Sequence, residues 1–273
     1  EEGFSLVKFL TLKEAIKLVK DNSLVGIGGI SLSRRPMSLV REIIRQGKKN
    51  LTILSFIGGL PEDMLIASDC VKKVRSSYIG FEIFGFAPNF KRYVEEGKVE
   101  VIEESEYSII AGLEACIRDL PFMHTKALLG SDILKVRKDL KIFKCPITNE
   151  TLVAIPPIKP DIALIHAQKA DKNGNILIEG TLGIDIELAK AADLTIVSVE
   201  EIVSKEYFIK NIEKTKILRE FIDVVVEAPK GALPTSCYPI YKWNLEEIIE
   251  YIELCEENKI KDYLDKHVYN RAW

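Results

Sequence analysis

Short runs rich in Val, Ile and Leu alternate along the chain with stretches in which apolar residues recur every three or four positions. The first pattern predicts buried strands and the second amphipathic helices. "VGIGG", "LTILSFIGG" and "VKKVRSSYIG" are expected strands, with helical stretches after the first two. Thr11 and Glu14 form a capping-box pattern ahead of the helix "LKEAIKLVK", which is expected to end near Asp21-Asn22. "KVEVIEE" predicts a further strand and "YSIIAGLEACIRDL" a helix closed by Pro121. The middle, "LGSDILKVRKDLKIFKCPITNE", has no clear period. "DIALIHA", "ILIEG", "LTIVSVE" and "FIDVVVEAP" then read as strands and "DIELAKAA" as a helix. Repeated strand-helix-strand order predicts an α/β fold with a mainly parallel open sheet flanked by helices. The tail from about residue 243, "WNLEEIIEYIELCEENKIKDYLDK", reads as two charged helices with a solvated or subunit-packing role.

One loop stands out. After Val25 to Ile27 come Gly28-Gly29, Ile30, the polar run Ser31 to Arg35, and Pro36 opening a helix whose Met37, Val40, Ile43 and Ile44 keep helical spacing up to Gly47. Loop amides beside a helix N-terminus gather partial positive charge and can hold an anion. A tight strand-to-helix turn also explains the glycine pair. The spacing is neither GxGxxG nor a P-loop, so nucleotide binding is not the first reading.

Composition narrows the field. The 273 residues suffice for one large α/β domain or two modest ones, and 47% are apolar, enough for a substantial core. Thirty-eight basic and 41 acidic residues, mixed along the chain, give a net charge of −3 and no footprint for nucleic acid. Cys70, Cys116, Cys145, Cys237 and Cys255 are scattered without a CxxC pair, which disfavours a zinc site or disulfide framework. His124, His166 and His267 form no ligand pattern, and His166 fits a hydrogen-bonded histidine at a strand end. No window reaches a membrane span and the N-terminal stretch lacks an export signal, so a cytoplasmic protein is expected, with no membrane or nucleic-acid partner.

The order of features resembles the family I coenzyme A transferases, in particular the α (A) subunit of the glutaconate CoA-transferase type. Asp21-Asn22, Val25, Ile27, Gly28-Gly29 and Pro36 match the family's α-subunit signature, whereas Gly26, Ile30 and Arg34 depart from it. "REIIRQGKKNLT", "NFKRYVEEGKVE", "GLEACIRDLPF", "VAIPPIKPDIALIHAQKAD", "AKAADLTIVSVEEIVS" and "VVVEAPKGALPTSCY" agree in order and spacing, so the resemblance covers residues 10 to 240. Leu233 stands where the family often has His.

The resemblance implies a single CoA-transferase α-subunit domain over residues 1–273. It also implies acyl-CoA and carboxylate substrates, coenzyme A as a substrate with no permanently bound cofactor, and a β subunit in a heterodimer or heterotetramer. The family's nucleophile is a β-subunit Glu in a Ser-Glu-Asn-Gly type motif, and "ENG" does not occur here. No catalytic residue is therefore assigned with certainty to this chain. The implied acyl and oxyanion site comprises Gly28, Gly29, Ile30, Ser31, Ser33 and Arg34, with Arg34 a candidate partner for a carboxylate or phosphate and Arg35 a weaker one. Structurally, both arginines can equally be solvated or bridge to the partner.

Two alternatives stay open. Heterodimeric relatives hydrolyse a carbon–carbon bond in ring-derived acyl-CoA compounds of steroid catabolism, and they resemble this chain around "EVIEESEY", which marks Glu106 as a candidate base, with Glu103 second. The same acidic run also suits a helix N-terminus. The third reading is a small-molecule-sensing domain of the sugar-isomerase and CoA-transferase fold group.

Overall fold

In the computed structural model, residues 6–270 are described. Along the chain, β1 (Lys8–Phe9) and α1 (Leu12–Lys17) lead to β2 (Leu24–Ile27), α2 (Met37–Arg45), β3 (Leu51–Gly58), α3 (Leu60–Ala67), β4 (Val71–Ile79), α4 (Pro88–Glu95), β5 (Glu100–Glu103) and α5 (Glu106–Ile117). The middle contributes β6 (Met123–Thr125), α6 (Ile133–Val136), β7 (Lys141–Lys144) and β8 (Thr151–Ile155). Then come β9 (Ile162–Asp171), β10 (Ile176–Leu177), α7 (Asp185–Ala191), β11 (Leu194–Val203), α8 (Lys205–Lys210), β12 (Thr215–Ile217), β13 (Val224–Glu227), α9 (Leu245–Glu256) and α10 (Ile260–Leu264).

The main sheet runs β1-β13-β11-β9-β2-β3-β4-β5, with every neighbouring pair on that path parallel. Two short strands depart from this: β10 pairs antiparallel with β9, and β12 with β10. From β2 the chain builds outward through β3, β4 and β5, and from β9 it builds the other way through β11 and β13. The reversal falls between β2 and β9. In open parallel sheets a crevice forms at such a switch point, at the carboxyl ends of the strands, and the glycine turn leaves β2 there.

Local sequence explains the helices on either side of β2 in the chain. The capping box of α1 is present, with the Thr11 side chain accepting from the Glu14 amide, although the helix ends at Lys17, short of Asp21. In α2 the apolar positions Met37, Val40, Ile43 and Ile44 are all buried, and Gly47 follows with φ of +62°. The irregular middle hides a second, three-stranded antiparallel sheet in the order β6-β8-β7. Its strands are three to five residues long, and β7 flanks its two apolar residues with lysines, so no period marks them.

The tail differs from expectation. Ile248, Tyr251 and Cys255 of α9 and Tyr263 and Leu264 of α10 are buried in the same apolar cluster as Met37, Val40 and Met64. Polar bonds fix the contact: the Tyr251 hydroxyl donates to Asp63 Oδ2 at 2.7 Å, and Arg41 pairs with Glu247 at 3.0 Å. Apart from Glu247, the Asp, Glu and Lys side chains of the tail cover its outer side, which gives it the composition of a solvated segment. No helix among the described residues is long and apolar enough to cross a membrane.

Candidate active site

The glycine turn is built by close approach. The Gly28 amide donates to Leu164 O of β9 at 2.8 Å, extending the ladder one step beyond β2. A Cβ at Gly28 would lie 2.4 Å from Asp185 Oδ1. Gly29 has φ of +72°, and a Cβ there would lie 2.5 Å from Arg34 O and 2.7 Å from Ser33 O. Both positions therefore exclude side chains for steric reasons, and Gly29 also for its backbone conformation.

The amides of the turn are engaged inside the chain. Gly29 N donates to Asp185 Oδ1 at 2.9 Å. Ile30 N and Ser33 N bond reciprocally with Ser33 O and Ile30 O at 3.1 and 2.8 Å, Ser31 N donates to Ile57 O of β3 at 2.9 Å, and Arg34 N to Ser236 O at 2.6 Å. This departs from the expectation that Gly28 and Gly29 present bare amides to an acyl oxygen. Their N–H groups complete the fold, and the donors at the crevice are the Ser33 and Ser236 hydroxyls and the Arg34 guanidinium, whose Nε has no hydrogen-bond partner among the described residues. Ser31 Oγ is buried without a hydrogen-bond partner, and Ser33 Oγ meets Ser236 Oγ at 3.3 Å.

Arg34 is also placed differently from expectation. It is buried, and its Nη2 pairs with Asp185 Oδ2 at 2.5 Å while Nη1 donates to His166 O at 2.6 Å and Nη2 to Thr181 O at 3.2 Å. Burial alone would raise the Asp185 carboxyl, but the Arg34 charge and bonds, with the Gly29 and Gly183 amides, outweigh it and hold the group below its ordinary value. Arg34 thus ties the turn to β9, to the segment at Thr181 and to the start of α7. Arg35 is fully buried against Glu62 and Ser55. Neither arginine is solvated or free to bridge outward.

Two cavities meet at Ser33, Ser236 and Tyr238. The smaller, about 180 Å³, adds Arg34, Gln168, Glu179, Gly180 and Thr181. Gln168 Nε2 donates to Glu179 O at 2.8 Å, and Glu179 Oε2 pairs with Lys214 at 3.0 Å. The larger, about 630 Å³, opens away from the turn along Phe84, Trp243 and Ile249. Sequence reasoning missed Asp185, Gln168 and Glu179, because nothing local to "QKAD" or "IEGTLGIDIE" announces that they face a turn some 140 to 156 positions earlier.

Behind the turn, His166 is buried with Nδ1 at 2.8 Å from Ser198 Oγ and Nε2 at 2.9 Å from Glu200 Oε1. The Tyr241 hydroxyl and the Lys230 amide also donate to Glu200. His166, Glu200 and Cys237 place ligand-type atoms within 4.8 Å of one another. Burial lowers the His166 pKa and pushes the Cys237 thiol up to about 12, and both ring nitrogens of His166 are engaged by Ser198 and Glu200. The cluster is read as a hydrogen-bonded network, in keeping with the hydrogen-bonded histidine expected from the sequence, although His166 lies in the middle of β9 and not at a strand end.

Glu106 lies elsewhere. It opens α5 and is exposed, as is Glu103, while the intervening Glu104 is buried. Glu104 Oε1 accepts from Arg75 at 2.5 Å and from Arg137 at 2.7 Å, and its second oxygen accepts from Ser108. The strand before it, β5, is three strands from β2, about 14 Å at normal spacing.

The sequence pattern of the family described as Coenzyme A transferase matches residues 9–228. This chain belongs to that family. Among curated CoA-transferase relatives, the A subunit of 3-oxoadipate CoA-transferase from Pseudomonas knackmussii is 39% identical over 72% of this chain and 71% of its own length. The A subunit of glutaconate CoA-transferase from Acidaminococcus fermentans is 34% identical over 87% of this chain and 80% of its own. A cholesterol ring-cleaving hydrolase IpdA subunit of Rhodococcus jostii is 33% identical over 82% and 79%. The chain spans 61% of the length of an uncharacterized Archaeoglobus fulgidus protein to which it is 37% identical over 97% of its own residues. The crystal structure of the A. fermentans glutaconate CoA-transferase superposes with a TM-score of 0.90 at 31% identity, covering 97% of this chain and 89% of that one. The CoA-transferase fold thus extends beyond residue 228 and includes the segment that carries Ser236, Tyr238 and Trp243.

Proposed function

We propose that this chain is the A subunit of a heteromeric acyl-CoA:carboxylate CoA-transferase, with a B subunit that supplies the nucleophilic glutamate. The observation that carries the reading is the glycine turn at the switch point, clamped by Asp185 and edged by the Ser33 and Ser236 hydroxyls. Glu179 is the one carboxylate among the described residues lining the small crevice, and Lys214 already holds it. A second polypeptide supplying the attacking carboxylate fits that arrangement.

The chemistry asks little of this chain beyond shape and donors. A carboxylate attacking a thioester carbonyl forms a tetrahedral oxyanion, and its collapse expels CoA thiolate and leaves a mixed anhydride; the thiolate then attacks the enzyme's carbonyl and releases the acyl carboxylate. Donors fixed before the reaction stabilise the oxyanion without reorganising. Here Ser33 and Ser236 supply hydroxyls at the crevice edge, the buried Ser31 hydroxyl stands outside the lining of both cavities, Gly28, Gly29 and Ile30 set the close backbone approach, and Arg34 holds the turn in place from behind. Coenzyme A enters and leaves as a substrate.

The R. jostii relative supports a second reading, a ring-opening hydrolase with Glu106 as base. A carboxylate base is tuned upward by burial. Glu106 is exposed, and the buried neighbour Glu104 is held by two arginines. The transferase reading is therefore preferred. Its test is CoA transfer from an acyl-CoA to acetate, measured for this chain alone and for the chain purified with its co-expressed partner. The reading expects activity in the pair only; full activity of this chain alone contradicts it.

A further inference from the structure

The larger cavity differs in character from the turn it borders. Phe84, Tyr238, Tyr241, Trp243, Leu245 and Ile249 form its wall, and Lys242 is the one charged residue among the described residues that line it. Tyr238, Leu245 and Trp243 remain 68%, 48% and 40% exposed, so a contiguous apolar surface faces the opening. At about 630 Å³ the cavity falls in the range of small-molecule sites, and it is concave with walls from two separate chain segments. Its inner edge is polar: Ser33 and Ser236, which it shares with the small crevice, stand where the reacting carbonyl of an acyl-CoA is placed by the reading above. An acyl group anchored at those hydroxyls has one roomy direction in which to extend, along the aromatic wall.

Charge argues in the same direction. A second carboxylate on the acyl group needs a cation at the far end, and Arg34, paired with Asp185, lines the small crevice and not the larger cavity. Lys242 is exposed and carries its charge on a long flexible stem, where an ion pair adds little. Seating a carboxylate against Phe84, Trp243 and Ile249 without a partner is costly, whereas an apolar body gains by leaving water. We infer that this cavity is the acyl-specificity site and takes a bulky apolar acyl group, aromatic or branched, without a second carboxylate. This rests on the CoA-transferase reading.

The test uses the chain together with its partner subunit. With acetate as acceptor, kcat/KM for 3-phenylpropanoyl-CoA should exceed that for glutaryl-CoA at least tenfold. Leu245→Glu, a change at a half-exposed position that leaves the core intact, should reduce that ratio severalfold while the melting temperature holds. An equal or reversed preference overturns the inference, as does a glutaryl-CoA preference that Lys242→Met abolishes. Should the pair transfer CoA from no acyl-CoA, the enzymatic reading fails separately, and titration of Trp243 fluorescence then decides the cavity: tenfold tighter binding of 3-phenylpropanoyl-CoA than of glutaryl-CoA supports it, and equal or absent binding overturns it. Shielding of Trp243 from acrylamide in the ligand-free pair would assign the wall to subunit contact instead, and overturn the inference as well.

Discussion

The guanidinium of Arg34 and the carboxylate of Asp185 meet at 2.5 Å across 151 positions of sequence, and the same carboxylate accepts the Gly29 amide at 2.9 Å. One buried ion pair, with the Arg34 bond to His166 O, thereby fixes the turn that leaves β2, the middle of β9 and the start of α7. A buried pair of this kind adds little net stability compared with apolar residues of equal volume, but it is expensive to break on one side.

Asp185→Asn should therefore destabilise the protein by about 3 kcal/mol, because Arg34 is left charged and uncompensated in the interior. The double change Arg34→Met with Asp185→Leu should recover a large part of that loss. Urea unfolding of Arg34→Met, Asp185→Leu and the double variant checks the coupling. Additive losses would contradict a shared clamp.

The turn should tolerate no methyl group. Gly29→Ala meets backbone oxygens at 2.5 and 2.7 Å that cannot move aside, at φ of +72°, and should cost about 2–5 kcal/mol together with most of the activity. Gly47→Ala, at φ of +62° with nothing within 4 Å, carries only the backbone term and should cost about 1 kcal/mol with activity intact. Thermal unfolding and turnover on the same preparations separate the two.

The acidic run before α5 gives a third contrast. Glu104→Gln leaves Arg75 and Arg137 facing a neutral group and should destabilise by about 2 kcal/mol or more. Glu106→Gln sits on the surface, should change stability by less than about 0.5 kcal/mol and should leave CoA transfer nearly unchanged. A loss of turnover on the order of a hundredfold for Glu106→Gln, with acyl-CoA still bound, would favour the hydrolase reading.

These residues also show what the sequence could reveal. The capping box of α1, the buried stripe of α2 and the parallel strands β2, β3 and β4 follow from neighbours within a few positions, and all were legible. The contiguous turn, Gly28 to Arg34, was legible as a special loop for the same reason. The role of Arg34 was not, since Asp185 and Thr181 come from the far half of the chain. Choosing among Glu103, Glu104 and Glu106 likewise depends on Arg75 and Arg137, which only the fold brings together. The antiparallel β6-β8-β7 sheet escaped because strands of three to five residues carry too few positions to show a period.

A pH effect follows from the tail. Burial pushes Asp63 up to about 6, against the hydrogen bonds from Phe90, Asn89 and Tyr251 that lower it. The folded state thus holds this proton more tightly than the unfolded chain, so stability attributable to Asp63 falls as pH rises from about 4 to about 6 and is level above that. The shift corresponds to a few kcal/mol at about 1.4 kcal/mol per unit. Asp63→Asn, which cannot ionise, should gain on the parent protein across that window. Urea midpoints of both proteins at pH 4, 5, 6 and 7 check this, and parallel curves would contradict it.

The central claim is that this chain shapes the acyl site while another polypeptide carries the nucleophile. The direct measurement is to treat the purified pair with acyl-CoA, reduce the enzyme thioester with borohydride, and determine the intact and peptide masses of both polypeptides. The account predicts conversion of one carboxylate to an alcohol on the partner polypeptide, with none on this chain. Modification of this chain, at Glu179 or at Glu106, would contradict it.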